Sequence, residues 1–336
     1  MKQAMILAAG LGTRLKPLTD TMPKALVPVG GKPLLDIQIE KLAQAGYDRF
    51  VVNVHHFAQQ IIDHVNDHYP PSPNTQHPTP ITHHPSPITH HPSPITQPPT
   101  PHILISDETS ELLETGGGLK KAQGLFRDDE PILIHNVDIL DNVDYDWFRR
   151  QHQDDEDAVL LVSKRKTKRY LLFDSAMRLM GWKNIETGEV KSPFPWLREA
   201  EITIDDNLQV TSLTSHLSST SHQPPIPSGG AGGGLSIPSG GAGGGLSIPS
   251  GGAGGGLPLT SHLYAFAFSG IHSFSPRLFP LMDRFPDRFP IIDFYLSVCH
   301  RSRIVGLVKN DLQVLDVGKL DSLEQAEKFT IGQFTI

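Results

Sequence analysis

A glycine turn near the start of the chain carries two cations that suit a polyphosphate. Gly10 and Gly12 follow an apolar run, and Arg14 and Lys24 come soon after them. Glycines in a tight turn let backbone N–H groups face an anion, and two cations on a proline-stiffened loop neutralise its charge. The dinucleotide fingerprint does not fit because Leu15 replaces its third glycine, and the Gly-Lys-Ser/Thr of the Walker loop is absent. The stretch therefore predicts a phosphate-binding loop of another kind.

Alternating apolar strands and amphipathic helices must position that loop. Such alternation predicts a mainly parallel sheet with helices on both faces. The predicted strands cover 3–9, 50–54, 103–105, 131–136 and 158–163, and the predicted helices cover 33–45, 59–68 and 118–125. Ligands of such sheets bind beyond the carboxyl ends of the strands. A site is therefore expected just after Ala9, Ile105, Asn136 and Leu315.

Composition excludes several classes of protein. The 336 residues carry 29 Lys+Arg against 36 Asp+Glu, so a basic surface for nucleic acid or membrane phosphates is not expected. Cys299 is the single cysteine, which excludes an intrachain disulfide and a thiolate-rich zinc site. No apolar run approaches the roughly 20 residues of a membrane span. The apolar stretch in MKQAMILAAG is too short and too soon interrupted for the hydrophobic region of a signal sequence to be expected there. We expect a reducing, cytoplasmic setting.

Two low-complexity insertions interrupt an otherwise ordinary α/β sequence. Residues 70–101 repeat a unit of the type HHPSPIT, and residues 215–262 contain three copies of an eleven-residue unit of the type IPSGGAGGGLS, the last of which ends in Pro258. Both are expected to be disordered, or polyproline II in the first, because they offer little apolar surface to bury. Metal capture by His83, His84, His90 and His91 and a proline-rich interaction module are the functional alternatives for the first insertion.

The opening run LAAGLGTRLKPLTDTMPKALVPVGGKPLL closely resembles the signature of sugar-1-phosphate nucleotidylyltransferases. The resemblance continues over most of residues 1–69, 102–190 and 263–330. In particular it is similar to the N-acetylmuramate 1-phosphate uridylyltransferase and mannose-1-phosphate guanylyltransferase-like branch. It implies one nucleotidyltransferase domain over residues 1–336. The implied fold is the nucleotide-diphospho-sugar transferase fold, a Rossmann-like mixed sheet, mainly parallel, with helices on both faces and the two insertions as loops.

The resemblance also implies roles for individual residues. Asp138, in His-Asn-Val-Asp-Ile, and Asp316, in Asp-Val-Gly-Lys, stand at the family's two Mg²⁺ ligands, although Val137 replaces the usual glycine. Arg14 and Lys24 are the implied catalytic cations. The implied nucleotide-binding residues are Leu7, Ala8, Ala9, Gly10, Gly12, Thr13, Glu114, Gly116 and Gly117. The implied sugar-phosphate-binding residues are Asn136, Lys183 and Gly270.

Two of these assignments have alternatives. The Leu-Glu-Thr-Gly-Gly-Gly turn resembles the family's base-recognition turn, where glycines let backbone amides approach a planar base. Whether Glu114 contacts ribose or base stays open. The Glu-Lys-Pro motif of other branches is absent, so Lys183 is a weak substitute that competes with an ordinary solvated lysine.

The expected activity is Mg²⁺-dependent in-line attack by a sugar 1-phosphate on the α-phosphorus of an NTP. UTP is favoured only by the LETGGG resemblance, and guanine and thymine stay open. The expected partners are the NTP and the sugar 1-phosphate, without nucleic acid or membrane, and the sequence does not indicate an oligomeric state. The alternative is a catalytically silent regulatory subunit that binds nucleotide or sugar phosphate on the same fold.

Overall fold

A computed structural model describes residues 2–70, 101–215 and 263–334. The expectations for both low-complexity insertions lie outside the described residues. Within the described ranges, no helix is long and apolar enough to cross a membrane.

The described residues form sixteen strands and eight α-helices. The strands are β1 Lys2–Leu7, β2 Pro28–Val29, β3 Lys32–Pro33, β4 Tyr47–Val54, β5 His102–Asp107, β6 Ile132–Asn136, β7 Ile139–Asp141, β8 Ala158–Ser163, β9 Arg169–Phe173, β10 Leu179–Asn184, β11 Val190–Lys191, β12 Ala200–Ile204, β13 Val210–Ser215, β14 Tyr264–Phe274, β15 Ile304–Val308 and β16 Val314–Asp316. The helices are α1 Leu34–Gln44, α2 Ala58–His68, α3 Glu114–Lys121, α4 Tyr145–Arg150, α5 Pro195–Arg198, α6 Phe279–Met282, α7 Ile291–Val298 and α8 Leu323–Phe334.

The central sheet is mixed, and the half that contains β6, β1, β4 and β5 is parallel. Its order is β11-β10-β9-β14-β6-β1-β4-β5, and β8 pairs with both β14 and β15. Strands β6, β1, β4 and β5 run parallel, whereas β14 runs antiparallel to β6, β8 and β9. The parallel half places the carboxyl ends of β1, β4, β5 and β6 along one edge, which is where sheets of this kind bind ligands.

Alternate residues of the central strands enter two separate cores. Met5 pairs with Val51 and Ile134, and all three belong to the core beneath α3, α6 and α7. Their neighbours Ile6 and Val52 enter the opposite core, which also holds α1, α2 and α8 residues. Full burial of such a side chain contributes about 1.5–3 kcal/mol. Helices therefore cover both faces of the sheet, as predicted.

The largest departure from the sequence prediction is α3. The helix was expected over 118–125, but it begins at Glu114 and ends at Lys121, so its three glycines lie inside the helix. Packing explains this, since an ideal Cβ on Gly116 would lie 2.3 Å from the Phe289 ring, and one on Gly117 would lie 2.0 Å from the Asp287 carbonyl. Tertiary contact here overrides the low helix propensity of glycine.

Candidate active site

The opening loop holds Gly12 in a conformation that a side chain would disturb. Gly12 has φ +63°, and an ideal Cβ there would lie 2.8 Å from Thr19 Cγ2 and 3.0 Å from Lys24 Cβ. The Thr19 hydroxyl donates to the Gly12 carbonyl at 2.8 Å. The glycine therefore lets the turn close against the segment that carries Lys24, which brings the loop's two cations into one region.

A two-stranded ribbon brings the two predicted metal ligands together. Strand β7, which follows Asp138, pairs antiparallel with β16, and Asp316 lies opposite Ile139. The Val317 N–H donates to the Asp138 carbonyl at 2.8 Å. Residues from distant parts of the chain thus meet because the strand ends that carry them are hydrogen-bonded.

Both carboxylates and Arg14 surround the same face of Gly318. An ideal Cβ on Gly318 would lie 2.6 Å from Asp316 Oδ1, 2.7 Å from Arg14 Nη2 and 3.1 Å from Asp138 Oδ2. The Lys24 ammonium contacts Asp138 Oδ2, and Arg14 Nη2 lies 3.6 Å from Asp316 Oδ2. The two implied catalytic cations and the two implied metal ligands therefore lie in one place.

The two carboxylates fit a hard divalent cation that takes its other ligands from a substrate. Asp138 Oδ2 and Asp316 Oδ1 both lie within 3.1 Å of the point where a Gly318 Cβ would stand, and Mg²⁺ is commonly held by one or two carboxylates together with phosphate oxygens. In the described part of the chain, no group of three or more His, Cys, Asp or Glu side chains could hold a metal ion. The donors therefore suit a metal that arrives with a phosphate.

A cavity of about 390 Å³ opens beside these charged groups. It is lined by seven residues that have a predicted role from the sequence and by six that have none. Those with a predicted role are Leu7, Ala9, Gly10, Lys24, Glu114, Asn136 and Asp138, and the others are Asn53, Glu108, Leu112, Thr115, Val137 and Pro290.

Glu108 and Asn53 form a buried pair at the back of this cavity. The Ala8 N–H donates to Asn53 Oδ1 at 2.7 Å, and Asn53 Nδ2 donates to Glu108 Oε1 at 2.7 Å. Glu108 Oε2 accepts the Leu113 N–H at 3.2 Å, and burial raises the pKa of Glu108. The pair connects the start of the opening loop to the segment before α3. Asn53 and Glu108 were not predicted from the sequence, although both are polar residues near the ends of apolar strands, which is the signal that could have identified them.

The glycine amides of α3 are engaged by the protein itself. The N–H groups of Gly116 and Gly117 both donate to the Phe289 carbonyl, at 2.9 and 3.1 Å. Both glycines are buried, so the expectation that their amides face a base is not met in this geometry. Glu114 and Thr115, at the start of α3, line the cavity instead. Contact of Glu114 with ribose or base stays a prediction, and Thr115 was not predicted from the sequence.

The three residues expected on the sugar-phosphate side lie in different places. Asn136 lines the cavity, and Gly270 has φ +84° and would place a Cβ 2.8 Å from Asn136 Nδ2. Lys183 is 8% exposed, and its ammonium donates to the Gly188 carbonyl at 3.1 Å. Lys183 lies on β10 between Trp182 and Asn184, and alternate strand residues face opposite sides. The structure therefore brings Asn136 and Gly270 together and leaves Lys183 apart.

Trp182 and Asn184 line a second cavity of about 500 Å³, which shares Pro290 with the first. Exposed Arg165 and Arg169 also line it. Among the described residues, neither guanidinium has a carboxylate within 4.0 Å. The sequence analysis missed these two arginines because nothing in the local pattern separates them from ordinary surface charges.

A buried ionic group supports β7 from behind. Asp141 accepts from Lys41 Nζ at 2.7 Å, from His135 Nε2 at 3.1 Å and from the Tyr145 hydroxyl at 2.8 Å. Burial acts to raise the pKa of Asp141, but the His135 hydrogen bond and the Lys41 charge outweigh it and hold that pKa well below its usual range. His135 therefore stabilises β7, the strand that follows Asp138, through its hydrogen bond to Asp141.

The mixed sheet, with a glycine-containing loop after β1 and aspartates after β6 and at the end of β16, is the nucleotide-diphospho-sugar transferase fold. The inositol-1-phosphate CTP transferase of T. maritima has the same fold, with a TM-score of 0.58 at 11% identity over 100% of this chain and 98% of that chain. A sequence model of the nucleotidyl transferase family matches residues 3–170. The chain belongs to this nucleotidyl transferase family.

Two characterised relatives narrow the resemblance. N-acetylmuramate alpha-1-phosphate uridylyltransferase of Caulobacter vibrioides is 38% identical over 139 residues, which are 41% of this chain and 46% of the relative. Mannose-1-phosphate guanyltransferase of Emericella nidulans is 30% identical over 168 residues, which are 48% of this chain and 37% of the relative. These are the two kinds of enzyme that the sequence motifs resemble. The chain spans less than half the length of either curated relative.

Proposed function

We propose that this protein joins an NTP to a sugar 1-phosphate, giving a nucleotide-sugar and pyrophosphate. The observation that carries the proposal is the meeting of Arg14, Lys24, Asp138 and Asp316 beside the first cavity. Phosphoryl transfer needs positioning and charge neutralisation more than covalent chemistry. A site with two cations, two carboxylates and an adjoining cavity supports that reaction.

The proposed step is an in-line displacement at the α-phosphorus. An anionic oxygen of the sugar phosphate forms the new bond as the bond from the α-phosphorus to its bridging oxygen breaks, and that electron pair leaves with pyrophosphate. The nucleophile is already ionised near neutral pH, so no general base is required. Arg14 and Lys24 neutralise charge on the triphosphate and on the leaving pyrophosphate.

Asp138 and Asp316 are the proposed ligands of Mg²⁺. Bound there, the ion would act as a Lewis acid on phosphate oxygens and help to orient the two substrates. Asn53 and Glu108 hold the start of the opening loop through hydrogen bonds. Gly318 leaves space between the two carboxylates and Arg14 because it has no side chain.

The nucleotide is proposed for the first cavity and the sugar phosphate for the second. Glu114 and Thr115 are the candidates for ribose or base contact because they line the first cavity. Arg165 and Arg169 are the candidate cations for the acceptor, in place of Lys183. A uracil base is supported by likeness to a uridylyltransferase, and guanine by likeness to a guanyltransferase.

The test is pyrophosphate release from each of the four NTPs with a panel of sugar 1-phosphates in Mg²⁺. We expect one pair to dominate, and Asp138→Asn to lose at least about 100-fold in turnover while keeping its fold by circular dichroism. Asp67→Asn, at an exposed position on α2, is the matched control and should retain full activity. Absence of release with every pair, while NTP still binds, would leave the catalytically silent subunit as the better reading.

A further inference from the structure

Each cation of the site is already paired with one of the two carboxylates. The Lys24 ammonium contacts Asp138 Oδ2, and these side chains are only 13% and 14% exposed. Arg14 Nη2 lies 3.6 Å from Asp316 Oδ2, and the other oxygen of Asp316 accepts the Gly318 N–H at 2.7 Å. Both carboxylates therefore have counter-charges supplied by the protein itself.

A divalent cation must compete with those counter-charges. To use Asp138 Oδ2 it has to displace the Lys24 ammonium or share the oxygen with it. Because this pair is mostly withdrawn from water, solvent screens the repulsion between the two cations poorly. A displaced Lys24 left without an anion would also be costly. The metal alone should therefore bind weakly.

A triphosphate removes this obstacle because it offers anionic oxygens to both displaced cations. Once Lys24 and Arg14 turn to phosphate, Asp138 and Asp316 are released for the metal. The same exchange works in reverse, since a metal on the carboxylates releases the two cations for phosphate. Linkage requires the two effects on affinity to be equal.

We propose that Lys24 and Arg14 are resident counter-cations that couple metal binding to triphosphate binding. The metal binds well only when the triphosphate pairs with the displaced Lys24 and Arg14. The triphosphate binds well only when the metal pairs with Asp138 and Asp316. This inference rests on the proposed function for the identity of the ligands. It adds that contacts within the protein weaken the binding of a metal ion without triphosphate.

The first test measures Mn²⁺ binding without nucleotide, from the electron paramagnetic resonance signal of free Mn²⁺. Lys24→Met should bind Mn²⁺ about tenfold more tightly than wild type, within the usual range of coupling between sites. Lys16→Met is the matched control, because Lys16 lies on the same loop and pairs with Asp20. It should stay within about twofold of wild type. Equal affinities for the two variants would overturn the proposal.

The second test is metal-free and remains decisive if Lys24→Met does not fold. In excess EDTA, calorimetry should show that inorganic tripolyphosphate binds Asp138→Asn more tightly than wild type, because Lys24 has lost its carboxylate. Asp20→Asn is the control for removal of one negative charge from the same region. No gain for Asp138→Asn over Asp20→Asn would overturn the coupling.

Neither test depends on turnover, a base or a sugar. If no NTP and sugar phosphate react but both binding gains occur, the proposed function fails and the coupling stands. If pyrophosphate is released but neither gain occurs, the coupling fails and the function stands.

Discussion

The Val317 N–H donates to the Asp138 carbonyl at 2.8 Å, which joins the turn after β6 to the turn after β16. The two strands that diverge from this hydrogen bond, β7 and β16, pair over three residues each. The bond sets the spacing between the backbones that carry Asp138 and Asp316. The separation of the two carboxylates is therefore controlled by main-chain geometry rather than by side-chain length.

Gly318→Ala should inactivate the site with little effect on folding. The new Cβ would lie 2.6 Å from Asp316 Oδ1 and 2.7 Å from Arg14 Nη2, so both side chains would have to move. Removal of a transition-state contact typically costs about 100- to 1000-fold in turnover, and we expect a loss of that order. Gly124→Ala, where a Cβ meets nothing within 4 Å, is the control. Equal activity of the two variants would show that the space beside Gly318 is not needed.

Glu108→Ala should weaken nucleotide binding because it releases Asn53 and the Leu113 N–H. Loss of two hydrogen bonds worth about 1 kcal/mol each predicts a decrease in affinity of about tenfold or more. Calorimetric titration with a non-hydrolysable NTP would measure it. Glu111→Ala, at an exposed position on the same loop, should bind as wild type does. If both variants bind equally well, the buried pair has no part in shaping the cavity.

His272 should make the protein acid-sensitive. It is 1% exposed, and among the described residues neither of its ring nitrogens has a hydrogen-bond partner. Burial, helped by nearby His135, lowers the pKa of His272 from 6.5 to about 3. The unfolded chain therefore binds the proton more readily between these values, and the free energy of unfolding should fall as pH is lowered from 6.5 towards 3. The slope approaches about 1.4 kcal/mol per pH unit.

Urea unfolding at several pH values would check this dependence. His272→Leu should flatten the acid side of the stability profile relative to wild type. His300→Leu, at an exposed position after α7, should leave the profile unchanged. A His272→Leu profile parallel to that of wild type would assign the acid sensitivity to other groups.

Arg169 and Lys183 should respond differently to the sugar phosphate. Arg169→Gln removes a guanidinium that lines the second cavity and should raise the acceptor KM about tenfold, as expected for a hydrogen bond to a charged group. Lys183→Met removes only the contact to the Gly188 carbonyl. It should lower the Tm slightly and leave the acceptor KM within about twofold. The reverse pattern would return the acceptor role to Lys183.

Local signals explain which features could be predicted from the sequence. Prolines and glycines define the opening loop, and Asp138 lies two residues after β6, a strand that begins with three apolar residues, so the chain itself marks both. The predicted strand over 158–163 coincides with β8, because an apolar run of that length leaves little choice of boundaries. The parallel order of β6, β1, β4 and β5 follows from the alternation of strands and helices.

The features that escaped prediction depend on contacts between distant residues. The start of α3 is determined by the Phe289 ring and the Asp287 carbonyl, which no local pattern reveals. Lys183 alternates with Trp182 and Asn184 along β10 and so lies on the face opposite the second cavity. Which face of β10 borders that cavity depends on the pairing of β10 with β9 and β11. Strands β7 and β16 are three residues each, too short for periodicity to detect.

The β7–β16 ribbon also determines when a newly made chain can complete the site that contains Asp138 and Asp316. The loop with Arg14 and Lys24 and the whole parallel half of the sheet are synthesised long before Val314–Asp316 emerges. A ribosome-bound chain that stops short of Asp316 would hold every early motif and still lack its second carboxylate. The proposed reaction must then wait until translation has passed this late strand.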